Sequence, residues 1–155
     1  MASVRAGLIS DTHGLLRPQA LAALQGCDQI IHGGDIGNEA ILQQLRAIAP
    51  LTVVRGNNDN GEWAQGINET ELIALAGANI YVVHDVKQLA IDPVVEGIAV
   101  VVSGHSHKPK AEQRGGVLYV NPGSAGPRRF KLPVSVGERV IESGKVTTRF
   151  VELQA

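Results

Sequence analysis

The sequence predicts an α/β fold in which two β-sheets pack together with helices outside. Two observations carry this. Short apolar runs alternate with helical patterns in the first part of the chain, and the remainder reads as strand pairs joined at glycine turns. Val4 to Ile9 is the first strand. Pro18 to Leu24 follows as a helix, with Pro18 in its first turn and Gly26 closing it. Gln29 to His32 is the second strand. Asn38 caps a helix that places Ile41, Leu42, Leu45 and Ile48 on one side, and Pro50 ends it. Leu51 to Val54 is the third strand. Right-handed crossovers between such strands give a parallel or mixed sheet whose C-terminal strand ends meet along one edge. Gly61 to Ile67 reads as irregular chain, with Trp63 as a packing residue ahead of a substrate-contacting lid residue.

Hairpins dominate the second half. Glu69 to Leu75 and Ala78 to His84 flank Ala76-Gly77. Ile98 to Val102 is a continuous buried strand. Lys110 to Gln113 and Val117 to Val120 flank Arg114-Gly115-Gly116. Pro133 to Ile141 and Lys145 to Leu153 flank Glu142-Ser143-Gly144. The 155 residues are 44% hydrophobic, which fits one domain, residues 1–155, with its own core. Lys and Arg number 14 against 15 Asp and Glu, so a nucleic-acid scaffold working by phosphate neutralisation is not expected. The single Cys27 is expected as a buried hydrophobe. Without a signal-type segment or an apolar run of membrane-spanning length, the expectation is a cytoplasmic protein with no membrane role.

Chemistry concentrates where apolar runs stop. Ile9-Ser10-Asp11-Thr12-His13, Ile31-His32-Gly33-Gly34-Asp35, Val54-Arg55-Gly56-Asn57-Asn58-Asp59 and Gly104-His105-Ser106-His107 each end a hydrophobic run on metal-binding side chains. His84 closes another. Strand tips of this kind aim ligands from a rigid sheet at one point, as a two-metal hydrolase centre requires. Gly33 and Gly34 let the backbone turn and bring Asp35 close, where its two oxygens could serve two ions. Pro109, two residues beyond His107, excludes a helical His pair. His32 faces away from Asp35 by strand alternation and is expected to be structural.

In order and context, Asp11-Thr12-His13, Gly34-Asp35, Gly56-Asn57, His84 and Gly104-His105-Ser106-His107 resemble the calcineurin-like metallophosphoesterase family, in particular its small YfcE-type phosphodiesterase branch. Asn121-Pro122-Gly123-Ser124 with Pro127-Arg128 also resembles the stretch that follows in that branch. The resemblance implies a four-layer α/β/β/α sandwich with two central mixed sheets. It implies that Asp11, His13, Asp35 and His107 hold one metal, and that Asp35, Asn57, His84 and His105 hold a second, with Asp35 bridging. The implied activity is hydrolysis of phosphodiesters, with monoesters as further substrates, by attack of a metal-bridging hydroxide on phosphorus. Asp35, Asn57, Asn58 and His84 form the implied catalytic group.

Two divalent ions facing two carboxylates and one hydroxide keep a net positive charge, which attracts a phosphoryl group and acidifies bound water. Mixed nitrogen and oxygen donors suit manganese, nickel, iron or zinc, and manganese is the ion the resemblance favours. Arg55 and Arg128 are the candidate phosphate contacts. Asp59 is expected to anchor the Gly56–Asn58 turn or to orient a metal-binding histidine.

The chain departs from the family pattern in three places. Asn58 stands where much of the superfamily has a histidine acid, and an amide delivers no proton at neutral pH. Asp85 replaces the usual glycine after His84. The stretch from His84 to Gly104 is short, so one outer helix is expected to be trimmed and the pocket opened. Asn58 also favours the alternative reading, a catalytically weak metal-binding scaffold or regulatory module on the same fold. A small phosphate ester is the expected partner, and a homo-oligomer is compatible with the composition.

Overall fold

The computed structural model describes residues 3–129, 131–142 and 145–154. The chain runs β1 (Val4–Ile9), α1 (Pro18–Leu24), β2 (Gln29–His32), α2 (Glu39–Arg46) and β3 (Leu51–Val53). It continues through β4 (Thr70–Leu75), β5 (Ala78–Val83), β6 (Val100–Val102), β7 (Pro109–Arg114), β8 (Val117–Pro122), β9 (Ser135–Glu142) and β10 (Lys145–Glu152). Two mixed five-stranded sheets result, ordered β10-β9-β1-β2-β3 and β4-β5-β6-β8-β7. β1, β2 and β3 are parallel in the first sheet, and β5, β6 and β8 are parallel in the second.

The helices form for the reasons visible in the sequence. Pro18 occupies the first turn of α1, where its missing N–H costs nothing. The Asn38 side chain accepts from the Ile41 N–H and caps α2. Ile41, Leu42 and Leu45 are buried on one face, but α2 ends at Arg46, so Ile48 lies beyond it and is only partly buried. Both two-residue hairpin loops have positive φ at each position: 50° and 83° for Ala76-Gly77, 58° and 83° for Gly115-Gly116. That twist matches the strands they join. Arg114 therefore belongs to β7 rather than to the turn. Ser143 and Gly144, expected in the last turn, lie outside the described residues.

Other boundaries shift for backbone reasons. β6 begins at Val100 rather than Ile98, because the Ile98 N–H is engaged by the Pro93 carbonyl. β9 begins at Ser135, since Pro133 has no N–H for a ladder. Pro109 is tolerated at the start of β7, an edge strand.

Three apolar clusters set the layers. Ile9, Leu24, Ile30, Ile41, Leu42 and Leu45 fill the space between the first sheet and α1 and α2, with Cys27 buried there and Trp63 packed at the margin. Leu8, Ile31, Val54, Ile80, Val82, Val100, Val102 and Val120 lie between the sheets. The outer face of the second sheet carries Val83, Val101 and Val117 beside Tyr81 and Tyr119. Its cover is a single 3-10 turn, Val86–Gln88, with irregular chain bringing in Leu89 and Ile91. The fourth layer is thus thinner than a helix. Among the described residues no helix is long and apolar enough to cross a membrane.

Candidate metal centre

The C-terminal ends of the parallel strands in both sheets face one edge. Asp11 and His13 follow β1, Asp35 follows β2, Asn57 follows β3, His84 follows β5, and His105 and His107 follow β6. Polar contacts clasp the two sheets there. The His105 N–H donates to Asp11 Oδ2 at 3.0 Å, and His84 Nδ1 lies 2.7 Å from the Gly33 carbonyl. The Ser124 hydroxyl donates to the Asp11 carbonyl at 3.0 Å.

Asp11, His13 and His107 form one cluster, and Asp35, His84 and His105 form a second; in each, three ligand atoms lie within 4.8 Å of one another. Asp11 Oδ1 is 3.4 Å from His107 Nε2 and 3.7 Å from His13 Nε2. Asp35 Oδ2 is 3.3 Å from His84 Nε2 and 3.7 Å from His13 Nε2, so one oxygen stands between the clusters. Asn57 Oδ1 is 3.3 Å from His105 Nδ1 and joins the second cluster. The two clusters differ in depth. Asp11 and His107 are buried, whereas the His105 side chain is 47% exposed and borders a cavity of about 450 Å³.

The backbone is strained at these positions. Six non-glycine residues among those described have φ between 47° and 71°, and five are Asp11, His13, Asp35, His105 and His107. Asp, Asn and His tolerate the left-handed region better than most residues, yet each such conformation still costs about 1–3 kcal/mol. Strain gathered on one set of polar side chains is what a candidate functional site, rather than a packing solution, accounts for. Glycines make the approach possible. A Cβ on Gly56 would sit 2.2 Å from Asp35 Oδ1, and one on Gly104 would sit 2.6 Å from Asp11 Oδ2.

The donor set fits cations. Asp11 Oδ1, His13 Nε2 and His84 Nε2 are buried without a hydrogen-bond partner. His84 Nδ1 spends its proton on the Gly33 carbonyl, which leaves the Nε2 lone pair directed at an anionic oxygen. Two electron-pair donors hold that arrangement only with a positive charge between them, either a proton or a metal ion. Ions bound at about 2.0–2.2 Å keep neighbouring donors roughly 3–3.5 Å apart, close to the spacings here. Protonation behaviour agrees. Burial alone would raise the Asp11 carboxyl, but His107, His13 and Ser10 outweigh it and hold it well below the carboxylate range. Burial likewise opposes ionisation of Asp35, and His84 with the Asn58 N–H reverses the effect. Burial disfavours the His84 cation, yet the Asp35 carboxylate and the Gly33 carbonyl raise its pKa.

Asn58 is exposed, but both of its N–H donors turn onto Asp35. Its N–H donates to Asp35 Oδ1 at 2.9 Å and its side-chain amide to Asp35 Oδ2 at 3.1 Å. Asp59 anchors the same turn by accepting from the N–H groups of Gly56, Ile36 and Gly37. Arg55 lines the cavity with its guanidinium 2.9 Å from Glu69. Arg128 is exposed and does not line that cavity. Three residues that the sequence reading did not place among the site residues contact the site. Ser10 donates to Asp11 Oδ2 at 2.7 Å, Asp85 Oδ2 lies 3.8 Å from His105 Nε2, and Asn121 donates to the Gly104 carbonyl. Only their adjacency to the ligand phrases, or to the Asn121-Pro122-Gly123-Ser124 stretch, could have signalled them.

His32 is structural. Its Nδ1 accepts from the Gly34 N–H at 3.0 Å, so Nε2 carries the proton and donates to the Thr12 hydroxyl, which donates to the Ile36 carbonyl. Complete burial lowers its pKa to about 4. The unfolded chain therefore takes up a proton near pH 6.5 that the folded chain resists until about pH 4. Stability should fall across that window as pH is lowered, by up to about 3 kcal/mol. Urea denaturation from pH 7 to 4 checks this. The fall should be smaller in His32→Gln, and an equal fall in both would assign it to other groups.

The description "Calcineurin-like phosphoesterase superfamily domain" matches residues 4–142. The chain is 32% identical over 127 residues to a probable metallophosphoesterase of Methanocaldococcus jannaschii, covering 76% of this chain and 66% of that one. It is 31% identical over 138 residues to a probable metallophosphoesterase of Methanothermobacter thermautotrophicus, covering 82% and 80%. Phosphodiesterase YfcE of Escherichia coli is 27% identical over 158 aligned positions, 83% of each chain. Among solved structures, an archaeal phosphodiesterase superposes with TM-score 0.79 at 22% identity over 97% of this chain and 100% of that one. Vps29 of Entamoeba histolytica in complex with zinc superposes with TM-score 0.70 at 25% identity, over 96% and 99%.

Proposed function

Because the chain belongs to the calcineurin-like phosphoesterase superfamily, we propose that it is a phosphodiesterase working with two divalent metal ions. The observation that carries this is Asp35 Oδ2, placed between His84 at 3.3 Å and His13 at 3.7 Å. Asp11, His13, His107 and Asp35 would hold one ion, and Asp35, Asn57, His84 and His105 the other. Bound there, the ions would supply positive charge to the phosphoryl oxygens and lower the pKa of an attacking water.

The chain's own groups do the rest. Asn58 and Ser10 fix the two carboxylates by hydrogen bonds, and the Gly33 carbonyl sets the His84 tautomer. The more exposed second cluster is the side from which an ester would enter, past Arg55. Manganese is the ion we favour, with nickel, iron or zinc compatible with the same donors. Metal analysis after dialysis against manganese should give two ions per chain. Saturation at one ion would overturn the dinuclear reading.

The Vps29 similarity favours a second reading, a metal-binding scaffold with little catalysis. Asn58 suits it, since the residue holds Asp35 rather than a leaving group. Turnover of bis(4-nitrophenyl) phosphate by the manganese-loaded protein, abolished by a chelator, separates the two. Two bound ions with no turnover would favour the scaffold.

A further inference from the structure

We propose that a groove on the outer face of the second sheet receives the part of the diester beyond the scissile phosphate, and that this part is an aromatic ring bearing a further anionic group. The inference rests on the phosphodiesterase reading for the position of the phosphate. The groove has a volume of about 280 Å³ and shares Asp85 and His105 with the cavity beside the second cluster. Asn121 ties its inner end to the site by donating to the Gly104 carbonyl at 2.8 Å and to the Ser106 hydroxyl at 3.0 Å.

Strand register assembles the walls. Lys110 pairs with Asn121, Glu112 with Tyr119 and Arg114 with Val117. The period of two places all three β7 side chains on the face that carries Tyr119. The Arg114 guanidinium lies over the Tyr119 ring, 4.4 Å from its centroid, so a ligand ring would stack on the outer side of the guanidinium, with Tyr119 backing it from beneath. Glu112 is neutralised from both sides, by Lys110 at 3.0 Å and Arg114 at 3.6 Å. Lys87 and Lys108 also line the groove, and among the described residues neither forms an ion pair with a carboxylate. Cations thus dominate this wall of a chain whose net charge is −1. The thin outer layer, a 3-10 turn instead of a helix, leaves the Arg114 side chain 56% exposed above Tyr119.

A bare inorganic anion would use the lysines and leave the stacking face idle. A neutral aryl group would do the reverse. A ring with an additional phosphate uses both, as in a nucleotide that carries a second phosphate.

Three diesters with one leaving group test this: methyl 4-nitrophenyl phosphate, thymidine 5′-(4-nitrophenyl phosphate) and its 3′-phosphorylated form. On the manganese-loaded protein, kcat/KM should rise about tenfold from the methyl to the thymidine ester, the scale of one stacked base, here on the guanidinium that Tyr119 backs. It should rise again with the 3′-phosphate. Tyr119→Ala should collapse the first ratio, and Lys87→Ala with Lys108→Ala the second. Calorimetry with thymidine 3′,5′-bisphosphate on the metal-free chain gives a readout independent of turnover. Binding should be seen and should weaken about tenfold in Tyr119→Ala.

Equal rates for all three esters, or ratios that survive Tyr119→Ala, overturn the groove and leave the phosphodiesterase reading standing. No turnover of any ester, with Tyr119-dependent binding of the bisphosphate, supports the groove and overturns the hydrolase. Loss of both turnover and binding overturns both.

Discussion

Asp35→Asn should weaken manganese binding by more than the roughly 10–100-fold associated with outer-shell partners of a metal. It should also abolish measurable phosphodiester turnover. The substitution keeps the shape of the side chain and an oxygen for the Asn58 N–H, but it removes the negative charge standing between His13 and His84. Asn57→Ala removes one neutral oxygen from the more exposed cluster and should cost only about tenfold in affinity. Calorimetric titration of both variants checks the order, with thermal melts to confirm that each is folded. Equal affinities would mean that Asp35 serves one ion only.

Rates should also depend steeply on the leaving group. Asn58 is an amide engaged with Asp35, and His84 Nδ1 is engaged with the Gly33 carbonyl. Neither can deliver a proton to a departing oxygen. A positioned acid is typically worth 10²–10⁴-fold, so a phenyl ester should fall about 10²-fold or more below its 4-nitrophenyl counterpart in kcat/KM. Asn58→His should flatten that slope by placing a titratable nitrogen in the same turn. The measurement is kcat/KM for a series of aryl methyl phosphates at saturating manganese. A flat series would mean that bond cleavage does not limit the rate, or that another acid takes part.

Asn58 shows where sequence reasoning reached and where it stopped. Its identity alone disqualified it as an acid, because that is a property of the amide. That its N–H donors turn onto Asp35 depends on how the β3 turn meets the β2 turn, which pairwise spacing does not encode. Asp85 is similar. Its departure from the family pattern was visible, but its proximity to His105 arises from the pairing of β5 with β6.

What the sequence by itself determined is whatever local chemistry and periodicity control. The apolar runs placed β1, α1 and β2 at their observed limits, and Asn38 and Pro18 marked helix starts through their own hydrogen-bonding capacity. The residues of both candidate metal-ligand clusters were legible because each lies at or just beyond a strand end, where an apolar run gives way to polar groups. Tertiary structure alone decided that parallel strands of two different sheets end at the same edge, and that one Asp35 oxygen lies between two clusters. It also put five candidate ligand residues into the left-handed region, and it laid Arg114 over Tyr119 beside the site. The physical reason is common to all of these. Each depends on contacts between segments far apart in the chain, which become fixed only when the two sheets pack face to face.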